Sequence, residues 1–315
     1  MDGGNLMRKA VGIIAIIFVI LYGFNYPCFA KKINENAGTK SGQILKMGVG
    51  ANAVGMGESN VANADDVYAT YWNPAGLSKV DKIQIGLMHN EWFEDIRYEY
   101  IGYVQPAFGI GTIAGSVSYI SMGELDKTDD AGTEQGKFRP YDLLVALSYG
   151  GKINKSISIG FSAKLLQEKI DEQKAQAFAV DLGGIYSADN KFLVGVNLQH
   201  LGTKMKFIEE SYGLPLNVNI GLAYKLLDNA LTLAVDSNIP SDNDVNIGFG
   251  ADYRIMGMFD LRFGYRYAFG GNDLGTVSGL RAGVGFGIGN YKLDYAFVPY
   301  GELGQSHRIS LIASF

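Results

Sequence analysis

The sequence has one cysteine, Cys28, in 315 residues, so a disulfide framework is excluded. Basic residues are in deficit: the formal net charge is -5 and the isoelectric point is near 5.3. The positive footprint of a nucleic-acid binder is therefore missing. Charged residues reach only 19% and prolines number 7. After the first 30 residues no apolar run is long enough for a membrane helix, which excludes a helical-bundle membrane protein. Three histidines, His89, His200 and His307, stand far apart, and no His/Cys/Asp cluster has metal spacing. Neither catalysis nor a cofactor or metal is expected. What is present is 47% hydrophobic residues with 42 Gly, 19 Tyr and 17 Phe. That composition excludes a disordered chain and suggests β structure with tight turns.

The N-terminus has the three-part plan of a secretory signal. Arg8 and Lys9 precede the apolar run Ala10 to Phe24, and Cys28-Phe29-Ala30 offers a small residue at the cut. Fifteen apolar residues fall short of the roughly 20 that a helix needs to cross a bilayer. The expected organisation is a cleaved signal over 1–30, an N-terminal segment over 31–80 and a β-domain over 81–315.

The β-domain alternates with period two. Ile157, Ile159, Phe161, Ala163 and Leu165 interleave with Ser158, Gly160, Ser162 and Lys164. Phe259, Leu261, Phe263, Tyr265 and Tyr267 interleave with Asp260, Arg262, Gly264 and Arg266. About fourteen such strands are expected, each of the roughly 9–11 residues that a tilted strand needs to cross a bilayer. They fall near 82–90, 96–105, 109–121, 140–150, 156–168, 176–187, 191–201, 215–225, 230–238, 244–254, 258–268, 278–288, 290–299 and 306–315. Connections alternate between short turns and longer loops, the pattern of an outer-membrane barrel with its turns in the periplasm. The longer ones include 122–139, 169–175 and 202–214. Tyr149, Phe192, Tyr224, Tyr253, Phe259, Tyr291 and Phe315 all fall at short-turn ends, where an interfacial aromatic girdle belongs.

The apolar face is expected to meet outer-membrane lipid. By parity the lumen receives Arg97, Glu99, Lys164, Asp181, Asn197, Asn219, Asp252, Arg254, Asp260, Arg262, Arg266, Arg281, Lys292, Asp294 and Arg308. Acids among the bases, above all Asp260 and Asp294 beside Arg262, Arg266, Arg281 and Arg308, suggest a salt-bridged wall, with an anion-selective path as the alternative.

Residues 41–77 lack the long alternation. Gly48, Gly50, Gly55 and Gly57 punctuate a small-residue run, Asp65 and Asp66 follow, and Asn73-Pro74-Ala75-Gly76 ends the segment. Asn73 can cap a helix that Pro74 starts, and Gly76 permits a left-handed backbone. A fourteen-stranded barrel is too wide for its side chains to fill, so small residues suit a segment folded against a Gly-lined wall.

KMGVGANAVGMGESNVANADDVYATYWNPAGLSKV, Lys46 to Val80, resembles the N-terminal signature of the PorV/PorQ family, part of the wider FadL-like group of outer-membrane barrels. The resemblance implies an all-β membrane protein: a fourteen-stranded antiparallel barrel with a partly helical N-terminal hatch in its lumen. The final alternating strand, ending at Phe315, resembles the signal read by the barrel-assembly machinery. Two functions are expected from this. One is passage of hydrophobic small molecules gated by the hatch. The other is a non-catalytic role in protein secretion or surface-protein attachment, with secretion-system proteins as partners.

Overall fold

The computed structural model describes residues 35–107, 109–189, 191–269 and 275–315. The signal-peptide expectation lies outside them. No helix among the described residues is long and apolar enough to cross a membrane.

Fourteen strands close into one antiparallel barrel. In chain order they are β1 (Gln84–Glu91), β2 (Arg97–Ala107), β3 (Gly111–Ser121), β4 (Tyr141–Lys152), β5 (Ile157–Ile170), β6 (Gln173–Ser187) and β7 (Phe192–Gly202). Then come β8 (Asn217–Leu226), β9 (Leu231–Pro240), β10 (Asn246–Ile255), β11 (Phe259–Ala268), β12 (Leu280–Ile288), β13 (Tyr291–Pro299) and β14 (Gln305–Ser314). Each strand pairs with its sequence neighbours, and β1 closes on β14 from Gln84↔Ser314 to Glu91↔His307. Closure leaves no sheet edge, the condition for spanning a bilayer with strands.

The period-two pattern sorts side chains as expected. Phe161, Leu147, Phe178 and Phe263 stand exposed on the outside, while Ser148, Ser162, Asp181 and Arg262 are buried inside. An apolar exterior around a polar interior is the inverse of a soluble sheet protein and suits lipid. The short-turn aromatics face outward, with ring pairs Tyr149–Phe161, Phe192–Tyr224 and Phe259–Phe286 at 5.7, 6.4 and 5.1 Å between centroids.

Two expectations need correction. Arg97 and Glu99 point outward, because Tyr98 and Tyr100 take the lumenal positions of β2. Bulky tyrosines there pack on the N-terminal segment, so apolar character does not mark the lipid face of this strand. The loop expected at 169–175 shrinks to two residues, 171 and 172, because β5 and β6 run on to 14 and 15 residues. The loops between β3 and β4 and between β7 and β8 carry small hairpins, Leu125–Thr128 with Glu134–Phe138 and Met205–Phe207 with Glu210–Tyr212.

Candidate functional site: the filled lumen and its charged wall

Residues 43–80 form short pieces: 3-10 turns at Gln43–Lys46 and Pro74–Lys79, and single α-turns at Ala51–Gly55 and Ala69–Trp72. They lie inside the barrel. Ile44, Val49, Val54, Val67, Tyr68 and Leu77 are fully buried, although no sheet of their own covers them. The path runs from the long-loop end, where Gly42 N–H donates to Glu168 at 2.7 Å and Lys46 pairs with Asp242 at 2.8 Å. It ends near Val80, at the short-turn end beside the start of β1.

Glycines of the wall make this fit possible. A Cβ at Gly160 would sit 2.3 Å from the Pro74 carbonyl carbon, at Gly183 2.1 Å from Asn73 Oδ1, and at Gly195 2.5 Å from Val61 O. On the opposite wall the same holds for Gly248 and Gly250, 2.4 and 2.3 Å from the Gly57 and Met56 carbonyl oxygens, and for Gly264, 2.0 Å from Gly57 N. All but the Asn73 contact are to backbone atoms, which cannot move aside for a side chain. The segment thus touches strands on both sides of the lumen at the closest approach a backbone allows.

The sequence-selected residues take distinct places in this packing. Gly48 lies under the Trp72 ring, and its carbonyl accepts from Arg308 Nη1 at 2.7 Å. Gly50, at φ 78°, lies against Tyr68, and Gly55 packs on Gly283. Gly57, at φ 69°, combines a left-handed backbone with contact to Phe249 O and Tyr265. Asp66 accepts from Asn52 Nδ2 at 2.8 Å and from Tyr68 N–H at 2.9 Å, whereas Asp65 is exposed. Asn73 caps the Pro74–Lys79 turn by accepting from Ala75 N–H at 3.1 Å, with Pro74 in its first turn. The same amide donates to Val61 O at 2.9 Å and to Gly184 O at 3.2 Å, so it ties the segment to β6. Gly76 does not need a left-handed backbone. It is small because Ala64 O lies 2.4 Å from where its Cβ would be.

The wall charges divide into two groups. Toward the short-turn end Arg262 bonds Asp294 at 2.6 Å, Asp260 at 2.7 Å and Asp252 at 3.2 Å. Arg254 and Lys292 also reach Asp260, at 2.8 and 3.1 Å. Three cations meet three carboxylates here, as a salt-bridged wall requires. Toward the long-loop end Arg266 pairs with Glu58 of the segment, but Arg281 and Arg308 have no carboxylate partner among the described residues. The expected pairing of Arg281 and Arg308 with wall acids is therefore corrected, because Asp260 and Asp294 lie at the other end of their strands. Burial pushes the Glu58 carboxyl up, and Arg266, Arg281 and Arg308 together more than offset this, holding it below its ordinary range. Its left-handed backbone, φ 64°, follows directly on that of Gly57 and turns the side chain toward these bases.

One group was not legible from parity. At Asp181 the pairing of β6 with β7 slips by one residue, so Gln199 and His200 are both buried in the lumen. His200 takes φ 63°, and its N–H donates to Asp181 at 2.9 Å, while Lys164 pairs with Asp181 at 2.5 Å. A strict period-two count from lumenal Asn197 turns His200 outward; the bulge turns it inward. His89 and His307 stay on the outer side, bonded to Glu99 and to Tyr295 OH, each at 2.7 Å.

Among the described residues, cavities lie beside the segment, and two of them stand out. The larger, about 410 Å³, opens toward the long loops between the segment and the wall. Its lining is mixed, with Trp72, Trp92 and Tyr300 beside Asn219, Asn246, Arg281 and Arg308. The smaller, about 150 Å³, lies at the short-turn end beside Asp66 and Arg262.

Residues 30–241 match the family model described as Type IX secretion system protein PorV. The chain belongs to that family. Solved structures share the barrel at low identity. The Pseudomonas putida toluene transporter TodX is 13% identical, covers 85% of this chain and 97% of its own, and superposes with a TM-score of 0.61. The Ralstonia pickettii toluene transporter TbuX gives 14%, 85%, 97% and 0.58. The CymD monoaromatic hydrocarbon channel gives 15%, 85%, 98% and 0.56. No curated protein matches in sequence. The fold of this PorV-family chain is thus the FadL-like outer-membrane barrel, and the proteins it resembles are channels, transporters and secretion components.

Proposed function

We propose that the protein is an outer-membrane barrel serving protein secretion, and that its N-terminal segment is a hatch that keeps the lumen shut while the rim and long loops engage secretion-system proteins. The carrying observation is the set of wall glycines packed on the segment's backbone at both sides of the lumen, joined to membership of the PorV family. Export by the N-terminal signal and assembly through β14 and Phe315 belong to the same reading.

Passage of hydrophobic small molecules is the second reading. The aromatic mouth of the larger cavity, with the Trp92 and Tyr300 rings 5.6 Å apart, favours it. Against it stand the amide and guanidinium groups deeper in that cavity, since an apolar solute gains nothing by desolvating them. A strain lacking the gene separates the two. Secretion predicts that exported surface proteins accumulate in the periplasm while uptake of a labelled aromatic hydrocarbon is unchanged. Intact surface export with reduced uptake would reverse the choice.

A further inference from the structure

We infer that the larger cavity is a binding site for a small molecule carrying an oxyanion, a carboxylate or a phosphate, held by Arg281 and Arg308. This goes beyond the secretory reading and does not depend on it.

Lys46 and Arg266 also line the cavity, but each has its own carboxylate, Asp242 and Glu58. Arg281 and Arg308 have none within 4.0 Å among the described residues, yet they are only 5% and 2% exposed. The bonds they do make are to neutral groups. Arg281 Nη1 donates to Ser278 O and Leu280 O at 2.6 and 2.8 Å, and Arg308 Nη1 donates to Gly48 O at 2.7 Å. The Nε of each is buried without an acceptor. Carbonyls orient a guanidinium but do not neutralise it, and an unpaired buried charge is costly. An anion entering the cavity supplies what is missing.

The backbone positions suit one shared ligand group. Arg308 on β14 pairs across to Ala296 on β13, which pairs to Gly283 on β12, and Arg281 lies one inward-facing step from Gly283 toward the long loops. The inward residues of β13 between the two arginines, Ala296 and Val298, are small, and beyond them Tyr300 reaches both, its ring 5.8 Å from the Arg281 guanidinium and its OH accepting from Arg308 Nη2 at 3.5 Å. Guanidinium forks match planar carboxylates and phosphate oxygens, which makes arginine the fitting residue. Aromatic rings at Trp92 and Tyr300 leave room for an uncharged body on the loop side.

Calorimetric titration of the full-length protein in detergent tests this with charged and neutral twins: glutarate against glutaramide, benzoate against benzamide, and inorganic phosphate alone. At least one oxyanion is expected to bind about tenfold or more tightly than a neutral twin, since a hydrogen-bonded charge pair contributes at that level. Binding by glutarate or benzoate assigns the site to carboxylates, and binding by phosphate alone assigns it to phosphate carriers. Arg281→Gln should weaken binding about tenfold, whereas Arg281→Lys, which keeps the charge, should lose less. Lys292→Gln, in the other charge group, should bind as the parent does. Equal binding of acids and amides, no oxyanion binding at millimolar concentration, or unchanged binding by a folded Arg281→Gln protein would each overturn the proposal.

Discussion

The same stretch of wall, β10 to β14, carries two groups of charge that differ in balance. Near the short turns, Arg254, Arg262 and Lys292 face Asp252, Asp260 and Asp294 within 3.2 Å, cation for carboxylate. Near the long loops, Arg266, Arg281 and Arg308 share only Glu58 among the described residues. The first arrangement is self-sufficient and belongs to structure. The second draws on a contribution from the segment, and among the described residues it still retains two guanidiniums without a carboxylate within 4.0 Å. Residue type does not separate them; position along the strand does.

Deleting one arginine from each group should break the comparison most sharply. Arg262→Leu takes from Asp294 and Asp252 the cation that bonds them, leaving Asp294 buried, and is expected to destabilise the barrel by about 3–5 kcal/mol. Arg281→Leu strands no acid of its own and should change stability by under about 1 kcal/mol. Denaturant unfolding in lipid vesicles reads both. Equal losses would mean that the upper arginines are paired after all.

Glycines offer the next largest contrast, between neighbours on β6. A Cβ added at Gly183 would sit 2.1 Å from Asn73 Oδ1, while one at Gly184 would meet open space. Gly183→Ala should cost about 1–3 kcal/mol by overpacking. Gly184→Ala should stay within about 0.5 kcal/mol. The same unfolding assay decides, and a neutral Gly183→Ala would show that the segment yields at this point.

A smaller effect is expected from pH, at Asp66 on the lumenal segment. Burial, then the charge of Asp65, raises its carboxyl to about 6, while Lys292, Tyr68 N–H and the Asn52 amide act the other way. A raised folded-state value means that the docked segment prefers protonated Asp66. The stability this gives is complete below the ordinary value of 3.8 and is lost as pH rises through about 6. Amide exchange in 62–72, corrected for its intrinsic pH dependence, should quicken from pH 5 to pH 7. Asp66→Asn should flatten that trend, and a trend that persists in the variant would assign it to another group.

Much of the barrel was legible because its two faces meet different solvents. The strongly alternating strands, the short turns and the exposed aromatic ends all follow from that single demand. The exceptions have local causes. Tyr98 and Tyr100 break the polarity rule because a packed segment, not water, fills their side of the wall. His200 escapes parity because a bulge inserts one residue. Asn73 and Pro74 were readable as a cap, since that chemistry is local. The role of Gly76 was not, because Ala64 approaches it from outside its own turn. The split of the wall charges was also hidden, for sequence parity gives the face of a residue and not its depth partner.

On the proposed reading, the chain's own N-terminal segment closes the lumen. Ion conductance across planar bilayers tests it most directly, comparing the full-length protein with one lacking 41–61. The fourteen-stranded wall should still assemble as a heat-resistant barrel, because its closure relies on strand pairing rather than on the segment. The account predicts a closed full-length protein and a clear rise in conductance on deletion. An assembled deletion protein with unchanged conductance would contradict it.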